Sequence, residues 1–238
     1  GWSKTQGKNT LSSSDYKAGD RIPTKNGKYY MVIFGMSMDR APSVITKATK
    51  FDKVYCVGDS RTADTKMALG VAVPSNVEFI AKWGEGLYWF KSTGYRQLLS
   101  SVSKQPKNSK KAVIINLGVN DLNNGRAYVT YMKKVAANLK KYNCKMYYLS
   151  VNPVNSAMIK SVGGKARSEA QIASFNRTIY KNLCSGKNKS FTYINSCTNL
   201  QMKGWISNRH DMGIYDGLHY SNATYLRIFD YCMRYLNR

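Results

Sequence analysis

From residue 51 onward, short apolar runs alternate with longer segments in which apolar residues recur every three or four positions. Apolar runs with few polar interruptions are typical of strands buried on both faces, and such strands belong to parallel sheets covered by helices. The sequence therefore predicts an open three-layer α/β/α sandwich around a parallel sheet of about five strands. The runs span residues 53–57, 77–82, 112–117, 145–151 and 191–194.

Three of the intervening or following segments have the spacing of amphipathic helices. Residues 126–142 carry the clearest apolar stripe, with lysines on the opposite face. Residues 168–183 begin with a Ser-Glu pair that suits a helix N-terminus, and residues 222–237 close the chain. In sheets of this kind, ligands bind beyond the carboxyl ends of the strands. Polar residues at those ends are therefore candidates for a site.

Residues 1–50 differ from the rest, being rich in Ser, Thr, Lys and Gly with one apolar run at 28–36. We expect an N-terminal extension (1–50) that carries a strand or hairpin packed on a main domain (51–238). The sequence has no run of 18 apolar residues, so no transmembrane segment is expected. It starts without a basic-then-apolar leader, which leaves a cytoplasmic protein or a signal peptide outside this sequence as alternatives.

The charge of the chain is strongly positive, with 37 Lys and Arg against 13 Asp and Glu, or +24 at pH 7. Such a charge attracts polyanions of any kind. The basic residues are spread over the whole chain without a zinc-finger spacing or an RNA-binding signature, so specific nucleic-acid binding is not expected. A bacterial cell wall or an acidic polysaccharide explains the charge equally well.

The five cysteines show no C-x-x-C pair, so we expect no metal site. Their number is odd, so at least one is free within a monomer. A bridge between Cys184 and Cys197 stays open at this point.

Polar or glycine-rich motifs follow three of the predicted strands and precede the last helix, and all four should meet at one edge of the sheet. They are Gly58-Asp59-Ser60, the "KWGEG" segment with Gly84 and Gly86, Gly118-Val119-Asn120-Asp121, and Asp216-Gly217-Leu218-His219 just before the last helix.

These residues fit the chemistry of an activated serine. Ser60 needs a base, and His219 is one of only two histidines in the chain. Asp216, three residues earlier in a predicted turn, can orient the imidazole. An oxyanion would need preorganised donors, for which the Ser60 amide, a glycine amide and the Asn120 side chain are candidates.

Two of these motifs also have simpler interpretations. Asp59 and Ser60 are also preferred helix caps, and Asn120-Asp121 also suits a turn. We expect Asp121 to brace its loop rather than react. His210, the other histidine, lies in a polar loop where it is either solvated or at the rim of a substrate site.

The motifs "GDS" at 58–60, "GVND" at 118–121 and "DGLH" at 216–219 resemble blocks of the SGNH (GDSL-type) hydrolases, in the family's order. The resemblance covers roughly residues 51–238 and implies a flavodoxin-like sandwich. It also implies a catalytic Ser60, Asp216 and His219, with an oxyanion hole from Ser60, Gly84 and Asn120.

Two positions depart from the common family pattern. Arg61 follows the serine where leucine is frequent, as in a bacterial "GDSR" branch, and this places a cation beside the nucleophile. The glycine block "AKWGEG" is similar to the form found in wall-modifying acetyltransferase domains, which favours Gly84 over Gly86. We include Arg61, Trp83 and Trp89 as candidate substrate-binding residues, although the aromatic residues near 83–89 suit the core as well as a sugar platform.

The sequence thus predicts a serine esterase that removes an acetyl or other short acyl group from a carbohydrate, without a cofactor. The alternatives are a cell-wall glycan O-acetyltransferase with the same triad and a non-catalytic module that binds anionic polymer. We expect the protein to be extracellular or associated with the cell wall, with a cytoplasmic location as the alternative. The oligomeric state stays open.

Overall fold

The computed structural model describes residues 21–23, 29–31, 50–209 and 215–238. The chain divides into two compact units, residues 1–40 and 41–238. In the first unit, β1 (Arg21–Pro23) and β2 (Tyr29–Met31) pair in antiparallel fashion. The predicted packing of this extension on the main domain stays a prediction.

The second unit is built on five parallel strands in the order β4-β3-β5-β6-β7. The chain first runs outward from β3 to β4 and then crosses to the other side at β5. Beyond the carboxyl ends of β3 and β5, this reversal leaves the crevice where α/β sheets bind ligands. The strands are β3 (Lys53–Gly58), β4 (Val77–Ala81), β5 (Lys111–Asn116), β6 (Cys144–Leu149) and β7 (Thr192–Ile194).

Helices connect these strands, and the three segments predicted from apolar spacing, 126–142, 168–183 and 222–237, are helical in the structure. A continuous helical stretch comprises α2, a π-helical segment (Phe90–Gly94) and α3, while α6 continues into a π-helical segment at Tyr180–Cys184. The helices are α1 (Ser60–Leu69), α2 (Leu87–Trp89), α3 (Tyr95–Ser103), α4 (Gly125–Lys140), α5 (Ser156–Ser161), α6 (Glu169–Ile179), α7 (Ser196–Lys203) and α8 (Asn222–Leu236).

Alternate side chains of the strands enter two separate apolar cores, one on each face of the sheet. In β3, Tyr55 and Val57 pack with residues of α3, α4 and α6. Val54 and Cys56 face the other way and pack with residues of α1 and α8. The arrangement is a three-layer α/β/α sandwich of flavodoxin-like strand order, which confirms the predicted fold class.

One element was not predicted. The segment that carries Asp216 and His219 is β9 (Tyr215–Tyr220), which pairs with β8 (Ser207–Arg209) in antiparallel fashion outside the main sheet. All five cysteines are free thiols, so the bridge between Cys184 and Cys197 is not formed. No helix within the described residues has both the length and the apolar character needed to cross a membrane.

Candidate active site

Three side chains distant in sequence form one hydrogen-bonded series at the carboxyl edge of the sheet. Ser60 Oγ lies 2.8 Å from Nε2 of His219, and Nδ1 of the same ring lies 2.6 Å from Oδ2 of Asp216. Ser60 and His219 are buried, with exposed fractions of 5% and 7%. These two side chains are therefore largely shielded from bulk water. An ordered proton path is easier to maintain in such a shielded site.

The charge state of Asp216 fixes the direction of these hydrogen bonds. Burial raises the pKa of this carboxyl, but hydrogen bonds from the His219 ring and from two backbone amides outweigh burial and hold the pKa below its usual range. An ionised carboxylate only accepts, so Nδ1 of His219 carries the proton and donates it. Nε2 of the neutral ring is then an acceptor for the Ser60 hydroxyl.

The backbone of β9 places Asp216 and His219 side by side. Ser207 of β8 pairs with Tyr220 of β9, and Arg209 pairs with Tyr215. Between these two pairs β8 advances by two residues and β9 by five, so β9 bulges away from the ladder. Oδ1 of Asp216 accepts the backbone N–H groups of Leu218 and His219 at 2.8 and 2.9 Å, which closes a tight turn. Gly217 has φ +71° and lies where a Cβ would be 2.6 Å from the Asn155 carbonyl oxygen. Only glycine suits that position.

Asp59, and not Ser60, caps helix α1. Its Oδ1 accepts the backbone N–H of Arg61 at 3.0 Å, while Ser60 is the first helical residue and points its hydroxyl at His219. Asp59 is 1% exposed, and burial raises the pKa of its carboxyl from 3.8 to about 6 despite the opposing effect of Arg61. The Ser60 amide belongs to the first turn, whose N–H groups have no partner within the helix.

Arg61 is enclosed by backbone carbonyls. Its side chain is 3% exposed and lies over the Tyr220 ring at 4.7 Å. The guanidinium donates to the carbonyl oxygens of Asn152 and Pro153 and twice to that of Leu218, at 2.9–3.1 Å. This burial does not agree with the predicted substrate-binding role. The residue instead joins α1, the loop after β6 and strand β9.

The side-chain amide of Asn120 is oriented from both ends. Its Nδ2 donates to the Glu85 carbonyl at 2.8 Å, and Nη2 of Arg167 donates to its Oδ1 at 2.9 Å. Arg167 also donates to the Val119 carbonyl at 2.8 Å. An amide has two N–H groups, so one remains for a ligand after the bond to Glu85. Sequence reasoning missed Arg167, since nothing in the pattern around it distinguishes it from other basic residues.

Comparison with known proteins identifies the family of the chain. The sequence profile of the family described as GDSL-like lipase/acylhydrolase matches residues 54–232, which is most of the chain. The chain belongs to this family. The SGNH (GDSL-type) resemblance drawn from the three short motifs is thereby confirmed.

Solved structures share the fold of this GDSL-family chain. A GDSL-like lipase from Bacteroides thetaiotaomicron is 16% identical with a TM-score of 0.55, over 82% of this chain and 92% of that one. A proposed acylhydrolase from Bacteroides fragilis is also 16% identical with a TM-score of 0.55, over 86% and 94%. At such identities the likeness shows the fold alone. No match is found among curated proteins.

Gly84 and Gly86 of the "KWGEG" segment are glycines for different structural reasons. Gly84 has φ +74° and open space where a Cβ would be, so its backbone conformation, and not crowding, favours glycine. A Cβ on Gly86 would lie 2.5 Å from Oδ2 of Asp121. That carboxylate accepts the Leu87 N–H at 2.9 Å and the Tyr128 hydroxyl at 2.7 Å. Asp121 thus holds the loop of Gly86 beside Asn120, which leaves Gly84 as the less enclosed candidate donor.

The predicted aromatic platform is divided between surface and core. Trp83 is 46% exposed and Tyr88 is 84% exposed, whereas Trp89 is 4% exposed and packs against Gly94. The prediction that Trp89 binds substrate does not agree with its burial, because its ring belongs to the apolar core under α2. His210 lies outside the described residues.

Proposed function

We propose that the protein is a serine-dependent ester hydrolase that removes an acetyl or other short acyl group from a carbohydrate through an acyl-enzyme on Ser60. The observation that carries the proposal is the hydrogen-bonded series from Ser60 Oγ through His219 to Asp216, with contacts of 2.8 and 2.6 Å. Membership of the GDSL-like lipase/acylhydrolase family supports the same class of reaction.

In the first half-reaction, Ser60 Oγ attacks the ester carbonyl carbon while Nε2 of His219 takes the hydroxyl proton. Asp216, whose carboxylate accepts the hydrogen bond from Nδ1, stabilises the imidazolium that forms. The tetrahedral intermediate then collapses. The alcohol oxygen leaves with the proton returned by His219, and the acyl group remains on Ser60 as an ester.

In the second half-reaction, water attacks the acyl carbon and gives a proton to His219. Ser60 Oγ then leaves with that proton, and the free acid is released. Both steps create an oxyanion, for which we assign the amides of Ser60 and Gly84 and the Asn120 Nδ2 as donors. The N-terminus of α1 adds a favourable dipole at the same point.

Two surface features support a carbohydrate substrate. Trp83 and Tyr88 expose aromatic surface in the segment after β4, which carries Gly84, and exposed aromatic faces suit the apolar faces of sugar rings. A cavity of about 280 Å³ lies beside Asn120 and is lined in part by Lys165 and Arg167. Its two cations outnumber the one carboxylate of the lining, Asp121, and so suit an anionic substituent, in keeping with the expected extracellular or wall-associated location.

The acyl-enzyme does not determine which molecule accepts the acyl group, since a sugar hydroxyl can replace water at the second step. Hydrolysis remains our proposal, and O-acetyl transfer is the alternative with the same residues. A non-catalytic binding module would not need the ordered series around Ser60.

Release of p-nitrophenol from acetate, butyrate and octanoate esters tests the proposal. Wild-type protein should turn over the acetate ester fastest, and Ser60→Ala should lose at least about 10³-fold in kcat/KM. Ser161→Ala, an exposed serine in α5, is the matched control and should retain full turnover. Failure of folded wild-type protein on all three esters would contradict hydrolysis. Release of free acetate from acetylated glycan would separate hydrolysis from transfer.

A further inference from the structure

A second cavity of about 650 Å³ lies at the opposite edge of the sheet from Ser60. Its walls come from the amino ends of β5, β6 and β7 and from the last turns of α4. All five strands run in the same direction, so this edge is separated from the carboxyl edge by the length of a strand, about 20 Å for six residues. The cavity is therefore distinct from the proposed active site.

The lining of this cavity is strongly basic. Within the described part of the chain it contains six lysines and no Asp or Glu. Five of the lysines are exposed, and none of these five takes part in an ion pair with any residue of 50–209 or 215–238. Asp52, a carboxylate nearby, is bound to the backbone N–H of Lys110 at 2.6 Å. The lysines are Lys110, Lys111, Lys133, Lys140, Lys145 and Lys189.

The sixth lysine, Lys111, forms part of the floor and is only 1% exposed. Its ammonium group donates to the carbonyl oxygens of Pro106, Ser109 and Tyr142 at 2.7, 3.0 and 3.1 Å. These carbonyls satisfy its hydrogen bonds but carry no net charge. Lys111 therefore adds a fixed positive charge beneath the five exposed ammonium groups.

We infer that this lysine cavity binds a segment of an anionic polymer that carries phosphate or carboxylate groups without bases. Several ammonium groups around one recess match several negative charges on one ligand. The aromatic residues of the lining, Phe51 and Phe191, are 7% and 2% exposed, so they offer no stacking surface for bases.

A membrane surface fits this cavity less well than a polymer does. None of the large exposed apolar side chains in the described residues lines the cavity, and the basic groups surround a recess rather than a flat face. The inference does not depend on the esterase proposal, since the two sites lie at opposite edges of the sheet. The lysine cavity would retain the protein on a polyanionic surface while the carboxyl edge of the sheet remains open.

Binding assays with fluorescent polyphosphate and with polygalacturonate test the inference at low salt. The variant Lys133→Gln/Lys140→Gln/Lys145→Gln/Lys189→Gln removes four exposed lysines of the cavity. Its matched control, Lys66→Gln/Lys134→Gln/Lys181→Gln/Lys203→Gln, removes the same charge from exposed lysines outside the cavity. We expect the cavity variant to weaken binding of at least one polymer by about 10-fold or more, because each charge contact contributes a factor of a few at low salt. The control should weaken it by less than about 3-fold.

The two polymers distinguish phosphate from carboxylate as the preferred group. Equal losses in the cavity variant and the control would show diffuse attraction and overturn the site, as would no loss in either. Single-stranded DNA bound as tightly through the same four lysines would overturn the choice of ligand. Turnover of p-nitrophenyl acetate and the thermal midpoint should match wild type in both variants, which excludes misfolding as the cause.

Discussion

The guanidinium of Arg61 donates two hydrogen bonds, at 3.0 and 2.9 Å, to the carbonyl oxygen of Leu218. Arg61 directly follows Ser60, and Leu218 directly precedes His219. One buried side chain therefore ties the backbone of the proposed nucleophile to the backbone of its proposed base. The 2.8 Å contact between Ser60 and His219 is thus supported from behind by a link that does not itself touch the reacting groups.

Arg61→Lys tests this link, because lysine keeps the charge but cannot reach several carbonyls in a planar fork. We expect the free energy of unfolding to fall by about 2–4 kcal/mol, since buried carbonyls lose charged partners. Urea denaturation measures this loss. We also expect kcat to fall while KM stays unchanged. A raised KM with unchanged kcat would instead show that Arg61 contacts substrate directly.

Asn120 and Arg167 should act as a pair. Asn120→Ala removes a proposed oxyanion donor and should lower kcat by about 10²–10³-fold. Arg167→Lys removes the fork that holds Oδ1 of Asn120, and a misplaced donor should cost about 10–100-fold in kcat. In the double variant Asn120→Ala/Arg167→Lys, steady-state kinetics should show no further loss beyond Asn120→Ala. Multiplicative losses would contradict a role of Arg167 through Asn120.

Asp216→Asn should trap the wrong tautomer of His219. The amide that replaces Oδ2 would donate to Nδ1, which moves the ring proton to Nε2 and leaves no acceptor for the Ser60 hydroxyl. We expect kcat to fall by about 10²–10⁴-fold with little change in KM. Asp52→Asn, at an exposed carboxylate on the opposite edge, is the control and should be fully active. Retained kcat in Asp216→Asn would exclude the orienting role.

Asp59 should make stability depend on pH. Burial raises the pKa of its carboxyl from 3.8 to about 6, so the folded state holds a proton that the unfolded chain has already released. Its contribution to stability is therefore present below pH 4 and is lost as the pH rises through 6. Asp59→Asn keeps a capping oxygen but cannot ionise.

The free energy of unfolding of Asp59→Asn, measured in urea relative to wild type, should accordingly increase between pH 4 and pH 7 by up to about 3 kcal/mol. Subtracting the wild-type value removes the titration of other groups common to both proteins. A difference that is constant with pH would mean that Asp59 titrates in the folded protein as it does in the unfolded chain.

The fold was predictable because its signals are local. Apolar runs such as 53–57 and 112–117 can bury the side chains of both strand faces only in the middle of a covered sheet. The apolar stripe in 126–142 corresponds closely to α4 (Gly125–Lys140). Strand β9 was missed because Asp216 and Gly217 are typical turn residues. Its pairing with β8 is irregular and leaves little alternation in the sequence.

The residues of the site also differ in whether a local sequence signal identifies them. Ser60 and Asn120 follow from short motifs after predicted strands and His219 from a short motif before the last helix, so the sequence was enough to nominate them. Arg61 and Arg167 act through contacts with distant backbone carbonyls and with Asn120, and no local pattern encodes such contacts. The burial of Trp89 could not be predicted for a similar reason, since an aromatic residue in a helix suits core and surface equally until its neighbours are known.

The central claim is that Ser60 is a nucleophile activated by His219, and covalent labelling tests it most directly. Protein incubated with a fluorophosphonate should gain one adduct by intact mass, and peptide mapping should place it on Ser60. Ser60→Ala should remain unlabelled, and His219→Ala should label at least about 100-fold more slowly. An adduct on another residue, or equally fast labelling of His219→Ala, would contradict the account.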